Sequence, residues 1–269
     1  MNILQEIAER TKQRIGERKR ELPPEKIIET VLSLSDREHD HAGADMFPFE
    51  KALRSDDIAF ICEVKKASPS KGIISENFSH LDIAREYEAA GAAAISVLTE
   101  PYYFKGDDRY LREIADAVSI PLLRKDFTVD SYMIYEAKLL GANAVLLICA
   151  ILDEKTIAEY IKIADSLGLS ALVEAHTEEE VETALNAGAR IIGINNRNLK
   201  TFEIDMTLSE RLRKMVPHDI IFVSESGINS AEDIMKLRQS GADAVLVGES
   251  FMRSPDKKAK FVELRGGLR

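Results

Sequence analysis

The 269-residue chain has no tryptophan, two cysteines and a deficit of positive charge. The missing tryptophan carries little functional weight. Two cysteines make neither a disulfide framework nor a metal set. Cys62, inside one apolar run, and Cys149, at the end of another, read as small buried hydrophobes. With 36 Lys and Arg against 46 Asp and Glu, the net charge is −10. That balance disfavours nucleic-acid binding by bulk attraction, so an anionic small substrate needs a local basic site. No run approaches the roughly 20 apolar residues that span a bilayer. The N-terminal MNILQEIAERTKQRIGERKR has no uninterrupted apolar segment of the secretory kind. These absences predict a cytoplasmic protein with neither a membrane nor a nucleic-acid partner. GxGxxG, Walker-type lysine and HExxH motifs are also missing, so neither a metal nor a redox cofactor is inferred.

What is present is a recurring module. EAAGAAAISVLT, KLLGANAVLLI, SLGLSALVEA, NAGARIIGIN and RQSGADAVLVG each read as helix end, glycine, then short apolar strand. SIPLLRKD and VPHDIIFVSES enter their strands through proline, and AFICEVK opens the series. Eight strands follow, at about Ala59–Val64, Ala94–Leu98, Pro121–Arg124, Ala144–Ile148, Ser170–Val173, Ile191–Ile194, Ile220–Val223 and Ala244–Val247. Their continuous Val, Ile and Leu content suits parallel strands buried on both faces. Amphipathic stretches such as Leu81–Ala90, Arg109–Val118, Tyr132–Leu140 and Ala231–Gln239 lie between them. Eight βα units in a chain of this length predict an α/β fold, a (β/α)8 TIM barrel, as one domain over 1–269. Residues 1–57 form an N-terminal helical extension, with helices over about 2–20 and Glu25–Leu34 separated by Pro23-Pro24. The basic end of the first helix reads as a solvated face. His39-Asp40-His41 reads as an exposed polar loop, not a metal site.

In such barrels the chemistry collects at the C-terminal ends of the strands. The first strand ends with Glu63 and Lys65 on one face, then the polar loop Ser68-Pro69-Ser70-Lys71-Gly72. The others end with Thr99-Glu100, Lys125-Asp126-Phe127, Glu174, Asn195-Asn196-Arg197, Glu225-Ser226-Gly227 and Gly248-Glu249-Ser250. Any one of these is an ordinary loop residue. Together they form a charged cluster in one mouth, where neighbouring groups shift one another's pKa as acid–base catalysis requires. Ser226-Gly227 and Gly248-Glu249 occupy the usual barrel phosphate loops, where glycine lets backbone N–H groups approach an anion. On this reading Gly227→Val or Gly248→Val fills the anion's space and leaves the lysines in place.

The segments EVKKASPSKG (63–72), LLRKDF (122–127), LVEAH (172–176), INNRNL (194–199), SESGI (224–228) and LVGES (246–250) resemble the indole-3-glycerol phosphate synthase family. The resemblance covers nearly the whole chain, helical extension included. It implies ring closure, decarboxylation and dehydration of 1-(2-carboxyphenylamino)-1-deoxyribulose 5-phosphate in tryptophan biosynthesis, without a cofactor. It implies Lys125 as the acid for ring closure, and Glu174 and Lys65 in later acid–base steps. Glu63 then orients the lysines and the substrate, while Asn195 and Glu225 position the reacting part. Arg197 and Lys65 are candidates for the substrate carboxylate. Ser226, Gly227, Gly248 and Glu249 are candidates for the phosphate, helped by Ser68 or Arg197. Where some members carry serine this chain has Glu249, which leaves the backbone to hold phosphate there. The helical extension is expected over the mouth, against the substrate's apolar ring. The division of proton transfers between Lys125 and Lys65 stays open. Two rivals remain at this level: another phosphosugar barrel enzyme such as phosphoribosylanthranilate isomerase, and a non-catalytic ligand-binding barrel. With no long unexplained apolar face, a monomer is expected.

Overall fold

The computed structural model describes residues 2–39, 46–199 and 201–267. Among these residues three helices precede the first strand: α1 (Ile3–Glu21), α2 (Pro24–His39) and α3 (Pro48–Leu53). Eight parallel strands then close into a barrel in chain order, β1 (Ala59–Val64) pairing with both β2 (Ala94–Leu98) and β8 (Ala244–Val247). Between these lie β3 (Leu122–Lys125), β4 (Ala144–Ile148), β5 (Ser170–Ala175), β6 (Ile191–Asn195) and β7 (Ile221–Glu225). The connecting helices are α4 (His80–Ala90), α5 (Asp108–Ala115), α6 (Tyr132–Leu139), α7 (Glu154–Ser166), α8 (Glu178–Asn186), α9 (Thr207–Arg213) and α10 (Ala231–Ser240). Two more, α11 (Glu249–Arg253) and α12 (Lys257–Leu264), follow β8. The five glycines at the helix-to-strand joints, Gly91, Gly141, Gly168, Gly188 and Gly241, all have positive φ, so each turn uses the conformation that glycine supplies freely. The expected strands are present. Several run one or two residues further at the C-terminal end, so that Lys125, Glu174, Asn195 and Glu225 stand on strands and not in loops.

Strand residues alternate between two cores. Phe60, Cys62 and Val64 of β1 pack outward against the helices, while Ala59 and Ile61 face the lumen. The same parity puts Leu123, Leu146, Leu172, Val223 and Leu246 inside. Phe49 and Leu53 of α3 join this inner core. Glu50 of the same helix ties to Ser170 and Arg190 at the strand starts, so α3 plugs the N-terminal end. Leu4 and Ile7 of α1 join it from the opposite end.

The basic end of α1 is docked, contrary to the solvated face expected for it. Arg14 Nη2 donates to both oxygens of Asp126 (2.9 and 2.8 Å). Arg18 pairs with Glu136 (2.6 Å) and Asp108, and Lys19 with Asp130 (2.6 Å). The acids lie near β3 and on α5 and α6, 90 or more residues away in sequence, which is why spacing within α1 does not reveal them. Arg124 is at the centre of this network. It is 1% exposed and donates to Asp108 (2.8 Å), Glu136 (3.1 Å) and the Met133 carbonyl (2.9 Å). The side chains of His39-Asp40-His41 lie outside the described residues. No helix among the described residues is long and apolar enough to cross a membrane.

Arg124→Met leaves two buried carboxylates short of their shared cation. Breaking a buried pair from one side costs about 3–5 kcal/mol. Urea unfolding is expected to show a loss of that order. A loss under about 1 kcal/mol, the scale of an exposed pair, contradicts the network's structural role.

Candidate active site

The lumen parity that buries Ile61, Leu123, Leu172, Val223 and Leu246 continues for one more step. Two residues further on stand Glu63, Lys125, Glu174, Glu225 and Gly248, with Asn195 on β6 in the same layer. They floor a cavity at the C-terminal end of the barrel. Its lining includes every residue named from sequence as catalytic or phosphate-binding: Glu63, Lys65, Ser68, Lys125, Glu174, Asn195, Arg197, Glu225, Ser226, Gly227, Gly248 and Glu249. Ile3, Leu4 and Ile7 of α1 cover one side, and Phe104, Phe127 and Ile148 add apolar wall.

Lys125 joins the charged groups. Its Nζ lies 2.5 Å from Glu225 Oε2 and 3.2 Å from Glu174 Oε2. Burial pushes the Lys125 ammonium toward the neutral form. Glu225, Glu174 and Glu63 outweigh that and hold its pKa above the ordinary lysine value. Glu225 responds in the opposite sense. Burial, with Glu174 and Glu63 adding repulsion, pushes its carboxyl up to about 7 against the pull of Lys125. Its Oε1 is buried and has no hydrogen-bond partner among the described residues. Glu225 is therefore the member whose charge is costly, and Lys125 the member whose charge is secured. Lys65 pairs with Glu63 on the neighbouring wall. Asn195 bridges to the cluster, donating from Nδ2 to Glu174 Oε1 (3.3 Å) and accepting the Arg197 N–H on Oδ1 (3.0 Å).

Thr99 and Glu100 do not line this cavity, and several of the other strand-end side chains are engaged elsewhere. Glu100, fully buried, accepts the N–H groups of Tyr102, Tyr103 and Phe104 (2.9, 2.7 and 3.0 Å). It shapes the loop that brings Phe104 to the cavity. Thr99 donates to Asp126 (2.7 Å), which is already held by Arg14. Ser250 Oγ reaches back to the Ile228 carbonyl (2.6 Å). Glu249 pairs with Arg253 (3.0 Å) and approaches Lys71 (3.8 Å) and Arg197 (4.0 Å). Its side chain is thus spent on cations around the rim.

The expectation that a valine at these glycines leaves the lysines in place does not hold at Gly248. A Cβ on Gly248 would lie 2.4 Å from Glu63 Oε1 and 3.0 Å from Lys65 Nζ, so Gly248→Val disturbs the charged pair itself. At Gly227, whose φ is +84°, a Cβ would meet Ile204 and Met206 at 2.6 Å. Gly193 was not singled out from sequence. A Cβ there would lie 2.3 Å from Glu225 Oε1, so the missing side chain is the space that Glu225 occupies. A glycine inside an otherwise apolar strand was the available signal.

The chain matches the family described as indole-3-glycerol phosphate synthase over residues 4–264. It is 58% identical over 264 residues to the indole-3-glycerol phosphate synthase of Ruminiclostridium cellulolyticum, covering 98% of this chain and 99% of that one. It is 49% identical over 270 residues to the protein of that name from Lachnoclostridium phytofermentans, covering 99% and 100%. Among solved structures, 3-hexulose-6-phosphate synthase superposes with a TM-score of 0.61 at 16% identity, over 79% of this chain and 100% of that one. A mutant tryptophan synthase alpha-subunit from Pyrococcus furiosus gives 0.60 at 17%, over 78% and 98%. At such identities these structures speak for the barrel alone.

Glu225 also makes stability depend on pH. Its value rises from the ordinary 4.5 to about 7 on folding. Between those values the folded protein holds a proton that the unfolded chain has released. The group therefore favours folding at the acid end, and that benefit is lost as pH rises through about 7. Relative to Glu225→Gln, the wild type is expected to lose stability from pH 5 to pH 8 in denaturant titrations; a constant difference contradicts the shift. Sequence match, barrel and charged floor agree: the chain belongs to the indole-3-glycerol phosphate synthase family.

Proposed function

We propose a division of labour within the family reaction. In it, 1-(2-carboxyphenylamino)-1-deoxyribulose 5-phosphate is closed, decarboxylated and dehydrated to indole-3-glycerol phosphate, releasing carbon dioxide and water. The ring carbon bearing the carboxylate attacks the sugar carbonyl, whose oxygen needs a proton as negative charge develops. Lys125 supplies it. The observation that carries this assignment is the contact of one buried ammonium with both Glu174 and Glu225, which keeps it protonated and fixed in position.

Loss of carbon dioxide restores the aromatic ring. The later departure of a hydroxyl as water needs a base for one proton and an acid for the leaving group. Glu174 and Lys65 are assigned to these steps, with Glu63 holding Lys65 and Asn195 holding Glu174. Arg197 stands at the rim as a cation for an anionic substituent of the substrate. The phosphate is assigned to the backbone of Ser226-Gly227 and Gly248-Glu249, within the same cavity as Ser68. The apolar ring rests against Leu4, Ile7, Phe104 and Phe127, which line that cavity without offering polar groups.

The test is carbon dioxide release from this substrate by purified protein. Lys125→Met is expected to lower kcat by about 10²–10⁴-fold while circular dichroism stays native. A variant within a few-fold of wild type removes Lys125 from the acid role.

A further inference from the structure

INNRNL sends Asn195 and Arg197 into the cavity, and Asn196 between them faces the opposite way. Asn196 is 0% exposed and its amide is used at both ends. Nδ2 donates to Ser224 Oγ (3.0 Å) and to the Ser226 carbonyl (3.2 Å), with Met206 Sδ at 3.7 Å. Oδ1 accepts from Ser209 N (3.2 Å) and Ser209 Oγ (2.8 Å). Such a side chain, buried with donors and acceptors both satisfied, holds a fixed orientation.

The Ser226 bond is the unusual one. Ser226 has φ +67° and Gly227 φ +84°, so two successive residues sit in the left-handed region, and serine has no intrinsic reason to be there. Three consecutive carbonyls of this loop are each claimed by a side-chain donor: Ser226 O by Asn196, Gly227 O by Asn229 (2.9 Å) and Ile228 O by Ser250 (2.6 Å). Asn196 is the buried donor of the three. A trans peptide is planar, so its N–H points opposite to its C=O. Drawing the Ser226 carbonyl out through the barrel wall therefore turns the Gly227 N–H toward the cavity that Ser226 and Gly227 line. That N–H has no acceptor among the described residues.

We propose that Asn196 is a positioning residue for phosphate recognition. It holds the Ser226–Gly227 peptide so that the Gly227 N–H is presented to the phosphate of the substrate. The inference rests on the assignment of phosphate to this loop. A residue that merely staples β6, β7 and α9 together would affect all ligands alike.

The probes are inorganic phosphate, indole-3-glycerol phosphate and its dephosphorylated form, indole-3-glycerol. Asn196→Asp keeps the shape and, when ionised, loses the donor but brings a negative charge near the loop, so Ser209→Ala, which adds no charge, must shift the preference in the same sense. Ser209→Ala, further from the loop, only loosens the orientation of Asn196. Loss of one hydrogen bond to a charged group corresponds to about 10–100-fold in affinity. Asn196→Asp is expected to weaken indole-3-glycerol phosphate by that factor and to leave indole-3-glycerol within about twofold. KM should rise while kcat at saturation is kept. Ser209→Ala should move the same preference by a smaller factor, and it decides the matter if Asn196→Asp does not fold. Equal weakening of both ligands, or an unchanged preference, overturns the proposal. The Gly227 amide resonance separates the two layers of the argument. If added phosphate leaves it unmoved in the wild type, the phosphate assignment falls and the inference with it. If it moves equally in the wild type and the variants, the positioning role alone falls.

Discussion

Two ammonium groups share the dry end of the barrel with three carboxylates. Lys125 bridges Glu174 and Glu225, and Lys65 pairs with Glu63. Burial alone disfavours the charged forms of Lys125 and Glu225, because taking an ion out of water costs several kcal/mol. Each depends on the others. The cluster is also one cation short, and the shortfall falls on Glu225, the carboxylate with an unpartnered oxygen and a raised pKa. A site held this way is rigid, and it suits the proton transfers proposed for ring closure and dehydration.

The barrel produces this cluster through strand parity. One more step along the lumen face, beyond the last apolar layer, puts a polar side chain from each of several strands at one height. The layer behind it is built from groups that never enter the cavity. Arg14 crosses from α1 to Asp126, the residue after Lys125, and so ties the helix that roofs the site to the strand that carries its lysine. Glu100 gathers three backbone N–H groups and sets the loop of Phe104. Gly193 leaves room for Glu225, and Asn196 holds the loop after β7.

Much of this was legible in the sequence, for physical reasons. Eight short apolar runs, five of them entered through glycine, dictate the barrel. Glu63 and Lys65 are two apart on a strand and must share a face. A barrel gathers its strand ends at one mouth, and all twelve named site residues line one cavity there, whereas Thr99, Glu100 and Asn196 do not. What escaped depends on contacts distant in the chain. The partners of Arg14 and Arg18 lie 90 or more residues away, so the basic end of α1 reads as solvated from sequence. Asn196 sits one register step from the lumen position of Asn195 and turns outward, and Glu100, beyond the end of β2, is taken up by the N–H groups of its own loop. Valine at Gly248 is not a clean probe of the phosphate loop, because the atoms nearest that glycine belong to Glu63 and Lys65, a packing fact with no local signature.

The central claim is that its carboxylate neighbours keep Lys125 charged despite burial. The most direct measurement is the pH titration of the Lys125 side-chain nitrogen by ¹⁵N NMR, in protein labelled at lysine. The account predicts that the resonance stays that of an ammonium beyond pH 10.5, the ordinary lysine value, and that its midpoint lies above it. A midpoint below that value would show that burial prevails over the three glutamates, and would contradict the account.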